Sequence, residues 1–191
     1  MAVKLIEIGY AALRCGDVEG AMRNFEQALH SMPDSPQPHL GLAIALLEQG
    51  SDSEASQELK AALEIDPDYA IAHAYLGIEL LKLQEFEAAE EELEKAVRTA
   101  PTNLLVLVKF AEYYYRLGYF PRSIMILEQA LKLPYCANEY VVGQARQLQA
   151  QARQKCRGMI VRETPDFRYW LCLASHLKGY RETAPAIPLA S

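Results

Sequence analysis

The chain has 191 residues, of which 51% are hydrophobic, a length and composition typical of one ordinary globular domain. Its 19 Lys and Arg residues against 25 Asp and Glu residues give a formal net charge of −6, which argues against a nucleic-acid-binding protein, because phosphate contacts need a basic surface. No apolar run approaches the ~20 residues of a membrane span, and residues 1–10 lack the pattern of a signal peptide, so we expect a cytoplasmic protein.

Residues of matching type recur every 34 positions along the first 137 residues. The small column consists of Ala21, Ala55, Ala89 and Ser123. The large column consists of Phe25, Leu59, Leu93 and Leu127. The alanine column consists of Ala28, Ala62, Ala96 and Ala130, and a proline column of Pro33, Pro67 and Pro101. This register predicts four units, at residues 2–35, 36–69, 70–103 and 104–137.

Each unit is predicted to contain two helices. In the third unit, residues 70–83 and 85–99 both place apolar side chains at helical spacing. Gly16, Gly50 and Gly118 are expected to end the first helix of their units, whereas the third unit has Gln84 there and needs another solution. We expect the small column to let the two helices of a unit approach closely, and the large column to fill the space between units.

Residues 138–158 are predicted to form a capping helix on the end of the array. Val141, Val142, Ala145, Leu148 and Ala152 form one apolar stripe among polar side chains. A repeat array ends in an exposed apolar face, which such a helix would cover. Asn138 is expected to be its N-cap, and Gly158 stands just past its end.

Residues 159–191 form an apolar and basic tail, of which the last ~10 residues, around Pro185 and Pro188, are expected to be extended or disordered. Residues 1–137 carry 11 basic and 21 acidic side chains, whereas residues 138–191 carry 8 and 4, so the array and the tail can attract each other. We expect the tail to dock in an apolar groove of its own chain or of a neighbouring chain, through Phe167, Trp170, Leu171, Leu173 and Leu177.

The columns resemble those of the tetratricopeptide repeat family. The family signature is matched by Leu76-Gly77, Tyr114, Ala21, Phe25, Ala28 and Pro33, and the resemblance covers about 136 residues. The tryptophan column departs from the family, since it holds Leu5, His39, His73 and Leu107. The resemblance implies an all-α, right-handed superhelical solenoid of four helix pairs, followed here by the capping helix and the apolar tail. In such a solenoid the first helix of each pair lines a concave groove.

The resemblance also implies a protein–protein interaction module, namely a scaffold, an adaptor or an assembly factor. Its groove would bind an apolar helix or an extended apolar segment. The ligand-facing columns correspond to Ile6, Tyr10, Leu13, Leu40, Ile44, Leu47, Ala74, Ile78, Leu81, Lys82, Val108, Glu112, Tyr115 and Arg116. An apolar lining of this kind usually marks a binding surface.

Two other interpretations of this lining stay open. The same side chains could be buried by the tail or between tightly wound helices. Alternatively, the chain could be a structural subunit of a larger complex, or of a homo-oligomer that assembles through contacts between tail and groove. The carboxylate clamp of chaperone-binding relatives is not expected, because its columns here hold Ile6, Tyr10, Gly41, Ile71 and Tyr75, which lack the cationic donors that it requires.

We find no sequence motif for catalysis or for a cofactor. HExxH, P-loop, dinucleotide-binding and GxSxG patterns are absent, so no enzyme and no small-molecule substrate is expected. His39 and His73 share a column without a third ligand, and no cysteines are spaced as CxxC, so packing is favoured over a metal site. Contact with a membrane is expected only indirectly or through the basic tail. The acidic run at residues 85–95 is expected to be a solvated convex face.

Overall fold

The computed structural model describes residues 2–133 and 138–157. These residues form nine α-helices and no β-strand. The helices are α1 (Ala2–Arg14), α2 (Val18–Ser31), α3 (Pro36–Gln49), α4 (Asp52–Ile65), α5 (Ala70–Lys82), α6 (Phe86–Thr99), α7 (Leu104–Arg116), α8 (Phe120–Ala130) and α9 (Glu139–Arg157).

Consecutive helices pack in pairs, α1 with α2, α3 with α4, α5 with α6, and α7 with α8. Each second helix also contacts the first helix of the next pair, and α9 packs against α7 and α8. The chain is therefore an all-α solenoid, which confirms the predicted fold class.

All twelve side chains of the small, large and alanine columns are fully buried. Phe25 lies between the backbones of Gly9 in α1 and Gly41 in α3. A Cβ atom added to Gly9 would lie 2.6 Å from the Phe25 ring, and one added to Gly41 would overlap it as well. Because only glycine leaves this space, the two glycines allow the largest side chain of its column to fit between the first two units.

Three of the four turns within pairs end in a glycine with a left-handed backbone, at φ angles of 79° for Gly16, 86° for Gly50 and 82° for Gly118. The third turn uses the same conformation without glycine, since Gln84 has a φ angle of 64°. A side chain in this region costs ~1–2 kcal/mol. The third unit thus keeps the turn geometry at an energetic cost.

The two histidines link the helices of their own pairs. The imidazole of His39 pairs through Nδ1 with the carboxylate of Glu58 at 2.7 Å. His73 Nδ1 pairs with Glu92 in the same way, and its Nε2 lies 2.9 Å from the carbonyl oxygen of Pro67. Each histidine therefore packs in the tryptophan column and also makes a polar contact that the sequence pattern does not reveal.

Helix α9 begins at Glu139, directly after Asn138, whose side chain accepts hydrogen bonds from the backbone N–H groups of Tyr140 and Val141. Val141 and Ala145 are buried in the same apolar cluster as Leu127. Helix α9 therefore covers the end of the array formed by α7 and α8.

Some predicted features lie outside the described residues. They are Gly158 and the tail at residues 159–191, including Phe167, Trp170, Leu171, Leu173 and Leu177. Within the described ranges, no helix has the length and apolar character needed to cross a membrane.

Candidate functional site

The first helices of the four pairs, together with the start of α9, enclose an open concave cavity of about 790 Å³, here called the groove. Its size lies within the ~300–1,000 Å³ that is usual for ligand-binding clefts. The lining residues are Ile6, Glu7, Tyr10, Leu13, Arg14, Gln37, Leu40, Ile44, Leu47, Glu48, Tyr69, Ile71, Tyr75, Ile78, Glu79, Lys82, Leu105, Lys109, Glu112, Arg116, Asn138, Tyr140, Val141 and Gln144.

The structure brings together ten of the fourteen residues predicted from the ligand-facing columns. The ten that line the groove are Ile6, Tyr10, Leu13, Leu40, Ile44, Leu47, Ile78, Lys82, Glu112 and Arg116. Ala74 and Leu81 do not line it, since both are buried in the apolar core between α5, α6 and α7. Their helix is turned so that these two side chains face the neighbouring pair and not the cavity.

Val108 and Tyr115 line a smaller pocket of about 320 Å³ between α7 and α9. The wall between this pocket and the groove is formed by Lys109, Glu112 and Arg116, which line both. Gln144 of α9 also faces both cavities, and Gln147 and Gln151 line the smaller one. The two cavities are therefore adjacent, and α9 supplies amide side chains to their shared border.

Four tyrosines from different helices and turns line the groove, namely Tyr10, Tyr69, Tyr75 and Tyr140. Tyr10 packs edge-on against Phe25, with ring centroids 5.1 Å apart, and the Lys109 ammonium lies 4.6 Å from the Tyr75 ring centroid. Within the described residues, none of the four hydroxyls makes a hydrogen bond.

The hydroxyls of Tyr10, Tyr69 and Tyr75 remain protonated at neutral pH. Burial, with a smaller contribution from Asp66, raises the pKa of Tyr69 to about 12. Burial and the neighbouring Tyr69 and Tyr75 raise the pKa of Tyr10 further, and the pKa of Tyr75 is raised by burial and by Glu112. The half-buried Tyr10, Tyr69 and Tyr75 are therefore available as hydrogen-bond donors to a ligand in the groove.

Charged groups on α4, α5 and α7 form two ion-pair networks at the groove. Lys82 Nζ lies 2.9 Å from a carboxylate oxygen of Glu79 and 2.9 Å from one of Asp52. Glu112 accepts hydrogen bonds from Lys109 Nζ at 3.0 Å and from Arg116 Nε at 2.9 Å. The expectation of a mainly apolar lining is therefore incomplete, because paired charges stand beside the apolar side chains.

The two groove carboxylates respond differently to their surroundings. Burial opposes ionisation of Glu112, but the charges of Lys109 and Arg116 outweigh it and lower its pKa. Burial dominates at Glu79 and raises its pKa, despite the nearby Lys82. On α1 and α3, the groove residues Glu7, Arg14 and Glu48 make no ion pair with any residue of the described ranges.

Among the described residues, no group of three or more His, Cys, Asp or Glu side chains is placed to hold a metal ion. Cys15 is exposed and Cys156 is half-buried, and both are free thiols.

Comparison with known families places this fold. Two family models, each described as a tetratricopeptide repeat, match residues 12–77 and 69–103. No curated protein sequence matches the chain significantly.

Solved structures of similar fold include a chain of the APC/C hetero-tetramer Cut9–Hcn1, with a TM-score of 0.67 and 17% identity over 94% of this chain and 34% of that one. This chain therefore spans about a third of that relative's length. The first repeat domain of Spaghetti (RPAP3), bound to the HSP90 peptide SRMEEVD, gives a TM-score of 0.55 at 20% identity, over 61% of this chain and 95% of that one. The first such domain of human RPAP3 gives the same score and identity over 62% and 94%. Likenesses at this level of identity concern the fold.

Proposed function

This chain belongs to the tetratricopeptide repeat family and is a protein-interaction module, and from that premise we propose that the groove binds a segment of a partner protein. In this proposal the chain is a cytoplasmic scaffold, adaptor or assembly factor, and the segment is an apolar helix or an extended apolar stretch. The observation that carries the proposal is the combination, in one open cavity, of half-buried aliphatic side chains with tyrosine hydroxyls that have no partner within the described residues.

The aliphatic part of the lining supplies the affinity. Ile44, Leu47 and Ile71 are only half-buried, so each retains apolar surface that a partner can cover. Covering apolar area is worth roughly 25 cal/mol per Å², and the tyrosines add orienting hydrogen bonds. The module would thus recognise an apolar segment that also carries backbone or side-chain acceptors.

A substitution at the centre of this surface tests the proposal. In Ile44→Glu, a bound segment would bury an unpaired carboxylate at a cost of several kcal/mol, which corresponds to more than about a hundredfold in affinity. Proteins captured by the tagged wild-type chain from its native extract should be lost from this variant, while circular dichroism stays helical.

Glu91→Lys is the matched control, because Glu91 is exposed on α6 outside the groove. Glu91→Lys should capture about as much partner protein as the wild type, and its main effect should be a changed dependence of capture on salt concentration. The groove is the wrong surface if Glu91→Lys abolishes capture and Ile44→Glu does not. An acidic peptide such as SRMEEVD should compete only weakly, because three of the four groove cations, Lys82, Lys109 and Arg116, are already paired.

A second proposed role is that of a structural subunit in a larger complex or in a homo-oligomer, with tail and groove joining neighbouring chains. The exposed edge of α1 favours it, since Val3 is 59% and Ile8 44% accessible. Light scattering over a range of concentrations separates the two roles. A chain that stays monomeric favours the adaptor, and growth into larger particles without a partner favours the subunit.

A further inference from the structure

The polar groups of the groove favour an extended occupant over a helical one. An α-helix satisfies its backbone N–H and C=O groups internally, apart from its ends. A helix buried in the groove would leave the hydroxyls of Tyr69 and Tyr75 without acceptors, and buried polar groups without partners are costly. An extended segment offers free carbonyl oxygens along its whole length.

Proline strengthens this match. A proline-containing segment adopts the extended polyproline conformation at low entropic cost, has free carbonyls, and presents flat rings that pack on aromatic side chains. Grooves lined by aromatic side chains recognise PxxP segments in this way. The groove offers four tyrosines from separate parts of the fold, Tyr10, Tyr69, Tyr75 and Tyr140.

The chain itself contains such a segment. Residues 181–188 read Arg-Glu-Thr-Ala-Pro-Ala-Ile-Pro, which places a PxxP motif at Pro185–Pro188, four residues after Arg181. These residues lie outside the described ranges. The residues before each proline are biased towards extended backbone by the proline ring.

The unpaired charges of the groove complement this segment. Glu7 and Glu48 line the groove and have no ion-pair partner within the described ranges, and the segment brings Arg181, with Lys178 just before it. Among the described groove cations, Arg14 makes no ion pair, and Glu182 supplies a complementary charge. The two acids and one base of the groove thus match the two bases and one acid of residues 178–182 in charge.

The connecting chain is long enough for the segment to reach the groove of its own molecule. Helix α9 has 19 residues, so it is about 28 Å long, and its first turn already lines the groove at Tyr140 and Val141. From the end of α9, residues 158–180 can span about 75 Å when extended. The distance from the end of α9 back to its first turn at the groove is therefore less than half of the length that residues 158–180 can span.

We propose that residues 181–188 occupy the groove of their own chain as an extended proline-containing segment. This inference rests on the proposed function of the groove, and it adds regulation to it. A partner segment must displace the chain's own segment, so the apparent affinity for partners falls by the fraction of molecules whose groove is already filled.

Fluorescence anisotropy of a labelled synthetic peptide with the sequence of residues 178–191 tests the proposal on the 191-residue chain. The probe competes with the chain's own segment in the wild type. In the Pro185→Ala/Pro188→Ala variant of the 191-residue chain the groove is freed, and we expect the probe to bind at least about tenfold more tightly than to the wild type. The probe with both prolines replaced by alanine should bind at least tenfold more weakly than the parent probe.

A second pair of variants tests the hydroxyls without disturbing the packing of the rings. In the freed background, Tyr75→Phe and Tyr140→Phe should each weaken probe binding several-fold, whereas Tyr119→Phe, outside the groove, should not. Equal probe affinity for the wild type and the freed variant would overturn the proposal, as would equal affinity for the two probes. Competition by the wild-type segment that disappears on dilution would mean docking between chains, and would overturn the intramolecular form.

The peptide-binding experiment and the capture experiment with Ile44→Glu can fail independently of each other. If the probe binds no form of the protein while Ile44→Glu still loses its captured partners, the occupant proposed here is wrong and the groove remains the partner site. If both fail, the groove itself is wrongly assigned.

Discussion

The hydroxyl of Ser123 is fully buried in the column that alanine fills in the other three units, and it has no hydrogen-bond partner within the described residues. A buried hydroxyl without a partner costs ~1–3 kcal/mol. We expect Ser123→Ala to raise the free energy of unfolding by about 1 kcal/mol in urea denaturation, because it removes this polar group and changes little else.

The reverse change in the same column is the control. Ala89→Ser should lower the free energy of unfolding by a similar or larger amount, because Ala89 is also fully buried. Equal stabilities for Ser123→Ala and the wild type would mean that the Ser123 hydroxyl is satisfied in solution.

The two histidine pairs should contribute unequally to stability. The side chain of His73 is 4% exposed and has two polar partners, whereas that of His39 is 15% exposed and has one. His73→Leu should therefore lower the free energy of unfolding by about 1.5–3 kcal/mol, because Glu92 and the Pro67 carbonyl both lose a partner. His39→Leu should cost about 1 kcal/mol or less. Denaturant titration of both variants would contradict this assignment if their order were reversed.

Glu112 should contribute to stability in a pH-dependent manner. Its pKa is lowered in the folded chain, so its contribution is present above the unfolded-state value of ~4.3 and is lost as the pH falls through the folded-state pKa. Glu112→Gln should therefore cost more stability at pH 7 than at about pH 3, as measured by urea denaturation at both pH values.

Glu79 provides the opposite trend as a control. Its pKa is raised, so ionised Glu79 opposes folding and its contribution declines as the pH rises from the unfolded-state value through the folded-state pKa. Glu79→Gln should cost less at pH 7 than at about pH 3. If Glu112→Gln also cost less stability at pH 7 than at about pH 3, the ion pairs of Glu112 would not form as described.

At the scale of elements, helix α9 should be required for the stability of the last pair. Ala145 is fully buried against α7 and α8, whereas Arg146 is exposed on the same helix. Ala145→Glu buries a charge and should cost at least about 3 kcal/mol, seen as a large fall in melting temperature by circular dichroism. Arg146→Glu should melt close to the wild type, and similar melting of both variants would mean that α9 packs elsewhere.

The helices were predictable from the sequence because their signals are local. A 34-residue register of small, large and proline residues marks each pair, and turn glycines such as Gly50 mark where a first helix ends. Gln84 shows the limit of such signals, since the fold imposes the left-handed turn on a residue that disfavours it.

The groove was predictable only in part, because exposure depends on how neighbouring pairs rotate against each other. Ala74 and Leu81 share the spacing of the groove residues, but α5 contacts α7 as well as α6, and this contact buries them. Tyr69 lies just before a helix and Tyr140 on α9, so no column of first-helix positions includes them. The carboxylates Glu7 and Glu48 also lie outside those columns, each directly after a predicted groove residue, Ile6 and Leu47.

At the scale of the whole molecule, unfolding should spread from the ends and not occur uniformly. The core of residues 2–133 and 138–157 is divided along the chain into three apolar clusters, which centre on Phe25, on Leu59 and on Leu93 with Leu127. Phe25→Ala should raise hydrogen exchange in α1–α3 and leave α7–α9 protected, because repeats contact chiefly their neighbours. Leu93→Ala, in the largest cluster, should raise exchange from α5 to α9. Uniform loss of protection in both variants would indicate a single cooperative unit.

The packing of Phe25 between Gly9 and Gly41 fixes which repeat can follow the first one. Position 41 corresponds, 34 residues on, to Tyr75 and then to Lys109, and in the same register the large-column residues of the preceding units are the smaller Leu59 and Leu93. The first unit, which carries Phe25, fits against the second unit, which carries Gly41. Placed directly before the third or fourth unit, Phe25 would meet Tyr75 or Lys109 at the position where it needs glycine. Unequal crossing-over that deleted the second 34-residue block, residues 36–69, would place Tyr75 against Phe25. We therefore expect deletion of the second repeat to be tolerated less well than loss or duplication of a repeat that leaves Phe25 and Gly41 adjacent.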